Sequence, residues 1–583
     1  MTSTGVDRTQ RVLLGLAAVA VMFAAADTYV VVLALPDMMA SAGLSADELQ
    51  RAAPIISGFL LGYVAVLPLI GRVADLRGRV PVLVGCLVLF AVGSLVTAVA
   101  YDLPSMVTGR VLQGVGGGGL LPATLALVAD LYPPRERGVP LGIVGGIQEL
   151  GNVLGPLYGA LVLSVGSWRG IFWLNLAVAL VLAAVVRSRG PRTSTTGTPD
   201  PVGVGLALLG LGCLVLVMAP PDRLATDVTW GLAVVPLVGE SRWLSPLALA
   251  TVALAVLFVA RLLTARRPLV DLGSWRGTLR EVDVWGSLLL AVALGAVILA
   301  FATSDPQVQV FSPAGPYLLL LGAAAGAGFW WRNRRAEHPL VPRGAIARTP
   351  AWGAMVVSFF VGAALIAALV DIPVFARVTV YNDSQLLAAL VLVRFLVGLP
   401  LGALAGGLLT HRFPAGPVTA VGMAASAYGF WAMSRWSFDA LEGPWATVPL
   451  LLAGFGVGLA MAPTNASLLA TTTESSHGVS SALLVVSRSV GKLVGLSVLT
   501  SVGLRAYYAG QTGLPAPMDV CGEGVSRCTA YSRLLQDAGL VQLHTIFLGA
   551  MVCSVVAGLV ALVVFRGADT QHVQAAAFEG ATG

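Results

Sequence analysis

The chain has 583 residues, of which 57% are hydrophobic and 11% charged, with a mean hydropathy of +0.86. Soluble domains carry about 25% charge, so this composition excludes a soluble enzyme or nucleic-acid-binding module and indicates an all-α polytopic membrane protein. The formal net charge of +6 then reports how Lys and Arg are shared between loops rather than a footprint for nucleic acid.

Apolar runs of spanning length, about 17 to 25 residues, fall near 12–35, 54–71, 81–101, 104–129, 140–164, 168–187, 201–219, 245–263, 284–302, 315–331, 351–376, 385–410, 416–434, 446–471, 478–505 and 541–565. The first run is too long for a signal-peptide core, contains Asp27 and lacks a small-residue cleavage site, so it is expected to be retained. An even number of spans puts both termini on one side. Most of the 35 Lys and Arg fall on that side, which makes it the cytoplasmic face of a plasma membrane.

Three regions are expected: a six-helix half over 1–190, a linker over 191–350, and a second six-helix half over 351–583 with a long outer loop, 506–540. The linker carries an internal repeat. Asp200-Pro-Val-Gly-Val-Gly-Leu-Ala-Leu-Leu-Gly matches Asp283-Val-Trp-Gly-Ser-Leu-Leu-Leu-Ala-Val-Ala. Each copy continues into a second arm opening at Ser-Pro (Ser245-Pro246, Ser312-Pro313) and a basic loop holding Pro-Leu-Val (268–270, 339–341). The pattern is that of a duplicated two-helix hairpin. The outer loop of the first copy, Pro220 to Leu244, contains Trp230 and Trp243 and suits the membrane interface.

Four motifs follow one another in the first half. Gly71-Arg-Val-Ala-Asp75-Leu-Arg-Gly78-Arg79 is a short basic loop between spans, with Asp75 placed to hold neighbouring helix ends in one state and release them in another. Arg110-Val-Leu-Gln-Gly-Val-Gly-Gly-Gly-Gly presents a buried charge and a face of small residues for close helix contact. Gly151-Asn-Val-Leu-Gly155-Pro156-Leu-Tyr-Gly159-Ala160 is a tightly packing, bendable helix. Trp168-Arg169-Gly-Ile-Phe-Trp-Leu-Asn175 opens the sixth span. In this order the motifs resemble the major facilitator superfamily, and within it the many-helix drug:proton antiporter branch. The resemblance implies two six-helix halves around a central path, about 16 transmembrane helices in this chain, and outward pumping marked by the Gly151–Gly159 motif. In the second half, Thr410 and His411 fall where the pseudo-repeat of the signature loop often has its acid, and His411 is read as a loop residue.

Charges inside spans are costly and default to function. Asp27 and Arg110 lie on helices that line the path together in this superfamily, so they are expected to pair and to carry the proton. Glu149 and Arg488 lie on the fifth and eleventh helices of the twelve-helix core, symmetry mates at the interface between halves, where a bond between them would act as a latch. Asp371, Arg394 and Lys492 are further candidates, of which Asp371 and Arg394 lie near span ends.

A closer resemblance comes from Ala-Asp-Thr-Tyr-Val-Val-Val at 26–32, Gln148-Glu149 before the antiporter motif, Leu-Pro-Leu-Gly-Ala-Leu-Ala-Gly-Gly at 399–407 and Ala-Tyr-Gly-Phe-Trp at 427–431. These are similar to the mycobacterial triacylglyceride exporters of that branch, which work with a lipid-binding lipoprotein and were also described as multidrug pumps. The likeness implies a monomer that moves lipidic or amphiphilic cargo outward against protons, in contact with membrane lipids and a lipoprotein, with no cofactor or metal. A general multidrug antiporter and a small-molecule importer stay open as alternatives. Histidines in loops, the tail or a span end, with no metal spacing or nucleophile elbow, speak against a membrane enzyme. Cys86, Cys213 and Cys553 read as small hydrophobes, whereas Cys521 and Cys528 share the outer loop and are expected to form a disulfide. Tyr531 to Val541 reads as an amphipathic extension of the last span.

Overall fold

Inside a bilayer an apolar stretch must close every backbone hydrogen bond within itself, which leaves the helix as its solution. The computed structural model describes residues 8–44, 49–131, 138–190, 200–221, 231–237, 241–265, 283–302, 313–337, 339–341, 347–381, 384–410, 412–472, 477–511, 520–521 and 529–568, with a few single positions between 224 and 278. Among these residues run α1 (Arg8–Ser41), α2 (Leu49–Arg77), α3 (Arg79–Ala98), α4 (Leu103–Leu131), α5 (Gly138–Val165), α6 (Arg169–Arg189), α7 (Pro201–Met218) and α8 (Pro246–Thr264). They are followed by α9 (Val284–Ala302), α10 (Gly315–Arg335), α11 (Thr349–Val378), α12 (Gln385–Thr410), α13 (Ala415–Met433), α14 (Thr447–Leu469), α15 (His477–Gln511) and α16 (Thr529–Val564). By length and composition, 12 helices among the described residues are apolar enough to cross a membrane. The outer ones of the remainder fall short for visible reasons: α10 closes on Arg332, Arg334 and Arg335, and α13 is built largely of Gly, Ala and Ser.

The signature segment corrects one expectation. Gly71 to Arg77 is not a loop but the last two turns of α2, and Arg79 already opens α3. The whole reversal rests on Gly78, whose φ of 88° lies in the left-handed region that a side chain disfavours. Asp75 therefore sits on a helix end; its side chain lies outside the described residues.

The first six helices and the last six repeat one packing pattern. The pairs α1–α5, α2–α4, α3–α4 and α3–α6 recur as α11–α15, α12–α14, α13–α14 and α13–α16. Matched glycines permit it. A Cβ at Gly114 or Gly118 would strike the α2 backbone at Phe59 or Tyr63, and one at Gly116 the α3 backbone at Phe90. Gly454, Gly458 and Gly456 meet Phe395, Leu399 and Gly422 of α12 and α13 in the same way. The two sets join at the end that carries the α2–α3 turn. There Ala482, Val486 and Leu493 of α15 enter one apolar cluster with Leu13 to Ala24 of α1, Phe59 to Ala74 of α2 and Leu120 to Val128 of α4. At the opposite end the apolar cluster of the first set, from Val30 to Met39 and from Trp168 to Phe172, includes no described residue of the last six helices.

The linker forms two hairpins, α7–α8 and α9–α10, and each is closed at its base by the same kind of ion pair. Asp200, the residue before α7, accepts from Arg261 Nε at 2.7 Å and Nη2 at 3.0 Å. Asp283, the residue before α9, accepts from Arg332 Nε at 2.6 Å and from the Gly286 amide at 2.9 Å. The repeat seen in sequence thus returns as a repeated clasp. The hairpins differ in placement: α9 packs against α2 and α15, whereas α8 faces outward with Leu249, Val252, Val256 and Leu263 exposed. At the end of the α7–α8 hairpin opposite its clasp, the Arg242 guanidinium lies over the Tyr101 ring at 4.6 Å. The two longest helices, α15 and α16, have 35 and 36 residues. At 1.5 Å per residue that is about 50 Å, well beyond a hydrocarbon core of about 30 Å.

The hydrogen bonds from Arg261 hold the Asp200 carboxyl below the usual carboxylate range. A depressed folded-state value means that the clasp stabilises at neutral pH and loses its contribution only as pH falls through that range. Replacing Asp200 by Asn is expected to lower the unfolding temperature of the detergent-purified protein by a few degrees at pH 7 and by about as much at pH 5, the difference from the wild type shrinking only as the pH falls below the ordinary carboxylate range. An unchanged unfolding temperature at pH 7 would show that helix packing alone holds this hairpin.

Candidate functional site

An arginine inside a helix bundle must find acceptors for up to five N–H groups, and it cannot shed its charge. Arg110 is fully buried, and all six helices of the first set contribute to its surroundings. From α1, Asp27 Oδ2 accepts from Arg110 Nη1 in an ion pair whose two side chains are both fully buried. From α2, the Ile55 carbonyl accepts from Nε at 3.1 Å, and the Phe59 ring lies 4.4 Å from the guanidinium carbon. Gln113, one turn along α4 on the same face, accepts from Nη1 at 3.0 Å and passes a donor to Ser94 Oγ of α3 at 2.8 Å. From α6, Asn175 donates to Asp27 Oδ1, and from α5 the Tyr158 hydroxyl donates to Asn175 Oδ1 at 3.1 Å. Both carboxylate oxygens of Asp27 are thereby occupied. A small apolar cavity of about 10 Å³, lined by Ala20, Phe23, Phe90, Leu120 and Asn175 among others, adjoins the cluster with room for about one water.

The expected Asp27–Arg110 pair is present. Its further members, Gln113, Asn175 and Tyr158, stood inside the quoted motifs without an assigned role, and Ser94 was missed. The signal was available: amide and hydroxyl side chains within apolar spans need partners. Chemically, the cluster is a carboxylate whose charge holds a guanidinium in place. A proton on Asp27 would cancel that charge and loosen α1 from α4.

The antiporter glycines do close packing work. Cβ atoms at Gly151 and Gly155 would collide with the α1 backbone at Met22 and Ala26, and one at Gly159 with Val30, while Pro156 lies within α5. Glu149 lies on the same helix, but its side chain lies outside the described residues, so the expected Glu149–Arg488 bond does too. Arg488 of α15 is half-buried and donates from Nε to Ser358 Oγ of α11 at 3.3 Å and from Nη1 to Met461 Sδ of α14 at 3.9 Å. Arg394 of α12 donates to Thr447 Oγ1 at 3.2 Å. Lys492 is half-buried on α15 one turn beyond Arg488, and Asp371 is buried on α11. Arg79 opens α3, and Gly71 faces Pro122 of α4. Cys521 is disulfide-bonded, with its expected partner Cys528 outside the described residues, as is His411. Cys86, Cys213 and Cys553 are free thiols.

A family model described as Major Facilitator Superfamily matches residues 17–496. A protein of Mycobacteroides abscessus named triacylglyceride transporter is 33% identical, the match covering 87% of this chain and 85% of that protein. Proteins of the same name from Mycolicibacterium smegmatis and Mycobacterium tuberculosis are 32% and 31% identical, with 96% and 93% of this chain and 88% and 92% of theirs covered. Among solved structures, a bacterial homolog of the human lysosomal transporter Spinster, inward-facing and unoccupied, gives a TM-score of 0.53 at 15% identity, covering 96% of this chain and 98% of that one. An autoinhibited POT family peptide transporter gives 0.53 at 18% identity, covering 96% and 97%. At these identities the structures share the fold alone.

Removing one partner of a buried ion pair costs about 3 to 5 kcal/mol. The two losses are expected to be unequal, because a lone carboxyl can be neutralised by a proton and a lone guanidinium cannot. Asp27→Asn should therefore lower the unfolding temperature more than Arg110→Gln. Equal losses in thermal unfolding would assign the effect to packing instead of charge.

Proposed function

The chain belongs to the major facilitator superfamily and is a membrane transporter, and from that premise we propose that it is a proton-coupled exporter of lipidic or amphiphilic molecules across the plasma membrane. The carrying observation is the Asp27–Arg110 cluster, one neutralisable charge that ties six helices together inside otherwise apolar walls. The names of the mycobacterial relatives support a triacylglyceride-like cargo, and the Gly151–Gly159 motif supports outward movement. With the basic turn at Gly78 and both termini taken as cytoplasmic, the apolar seal between α15 and the first set closes the cytoplasmic end. This chain is then in an outward-facing state.

In the proposed cycle, a proton arriving from outside neutralises Asp27, Arg110 relaxes toward Gln113 and the Ile55 carbonyl, and α1 is freed to move against α4. Cargo leaves outward, the halves rock, and the proton is released on the cytoplasmic side, where the restored Asp27 charge recaptures Arg110. Glu149 and Arg488 act as the latch between halves. The ends of α15 and α16 that project beyond the outer surface form a platform at which a lipoprotein receives the lipid. The transporter works as a monomer.

Proteoliposomes with an imposed pH gradient test this reading, with a fluorescent triacylglyceride in one arm and a cationic dye in the other. Gradient-driven lipid movement is expected from the wild-type chain. Asp27→Asn and Glu149→Gln should fall to the gradient-free rate while still binding lipid. Equal movement with and without the gradient would overturn proton coupling, and dye movement without lipid movement would make the chain a multidrug antiporter.

A further inference from the structure

Asp371 is 6% exposed, and among the described residues its side chain makes no hydrogen bond and no ion pair. Helices α12, α14, α15 and α16 pack around α11, and among their described side chains no charged group pairs with Asp371. Arg394 donates to Thr447, Arg488 to Ser358 and Met461, and the His544 ring lies against the Trp436 carbonyl at 2.8 Å. Neither Lys492 nor Arg505 on α15, nor Asp537 on α16, pairs with it, and the described part of α14 carries no charge.

The packing symmetry sets Asp371 apart from the Asp27 site. Gly151 and Gly155 lie against Met22 and Ala26 just as Gly491 and Gly495 lie against Phe359 and Ala363. This register makes Ala364 the counterpart of Asp27. Asp371 is seven residues further on, two turns or about 10 Å along the same helix face. On the partner helix, Gly114 corresponds to Gly454, so the counterpart of Arg110 is Leu450, which is fully buried. The second set therefore has neither charge of the Asp27–Arg110 pair at the equivalent positions and carries its acid two turns further along the same face. Two residues on, Pro373 cannot donate to the Leu369 carbonyl, so the helical turn in which Asp371 sits lacks one of its hydrogen bonds. Beyond that turn, Phe375, Trp436 and Phe547 form a cover with ring centroids 5.1 to 6.4 Å apart.

An isolated carboxylate anion in such surroundings is costly, and protonation removes the cost. We infer that Asp371 is a second proton-binding site, carrying its proton on a carboxyl oxygen in this state, beside the charge-paired site at Asp27. Within the proposed transport cycle, the proton passes between Asp371 and water when the turn at Pro373 opens and moves the aromatic cover. Two carboxyls in different settings then serve one chain: Asp27 trades a proton against an arginine, and Asp371 trades one against solvation.

Infrared spectroscopy of the purified protein in lipid nanodiscs at pH 7 tests the site without reference to transport. The carbonyl stretch of a protonated carboxylic acid should lose a component in Asp371→Asn, shift in Asp371→Glu, and keep that component in Asp27→Asn. A spectrum of Asp371→Asn that superimposes on the wild type overturns the inference. Should that variant not fold, an unshifted band in Asp371→Glu overturns it equally. Loss of the component together with gradient-independent export would uphold the site and remove the transport reading. Gradient-driven export with an unchanged spectrum would do the reverse.

Discussion

A permanent positive charge with no water around it is the condition that the first six helices are built to meet. Arg110 cannot be neutralised, so acceptors must be delivered to it from several directions at once, and each has to be within about 3 Å. The glycines of α4 make that delivery feasible. They let α2 and α3 approach until Phe59, the Ile55 carbonyl and Ser94 reach the cluster, while Gly151 and Gly155 bring α5 onto α1 beside Asp27. Small residues and buried charge work together here: without the close approach the guanidinium would keep unsatisfied donors.

The two sets of six helices share the scaffold and differ in chemistry. Matched glycine triplets at 114, 116, 118 and 454, 456, 458 preserve the same helix crossings. Leucine at 450 empties the second set of its counter-charge, and its core is correspondingly apolar, with Phe375, Phe395, Phe430 and Phe547 fully buried. A rocking transporter needs two halves of similar shape so that they close on each other from either side. It does not need the same electrostatics in both. Here the fully buried ion pair lies in the first set, whereas the second set buries a lone acid, Asp371.

Much of this was legible in the residues. Runs of apolar sequence located the helices because the bilayer leaves no alternative conformation, and Asp27 with Arg110 stood out because charges in spans are rare. The hairpin repeat announced itself through Asp200 and Asp283, though not through Arg261 and Arg332, whose partners lie 61 and 49 residues away. What escaped reading followed from three-dimensional register. Ser94 looks like any serine in a span until α3 and α4 are in contact. The Gly71–Arg79 segment reads as a loop because its charges mask a helical continuation that only Gly78 breaks. Asp371 looks like a residue able to reach solvent near a span end, and only the packing of α11 among its neighbours encloses it.

The closed clasps of the linker bear on how such a chain comes to be assembled. Each hairpin contains its own acid and its own arginine, so the charge at its base is satisfied within the hairpin and draws on no group in either six-helix set. A hairpin also returns the chain to the side from which it started, which leaves the sidedness of everything downstream unchanged. An element with those properties can be gained or lost as a cassette without forcing compensating substitutions elsewhere. In this chain the α9–α10 hairpin packs against α2 and α15, while the α7–α8 hairpin leaves most of one helix uncovered, like an annex whose shared wall is only partly built.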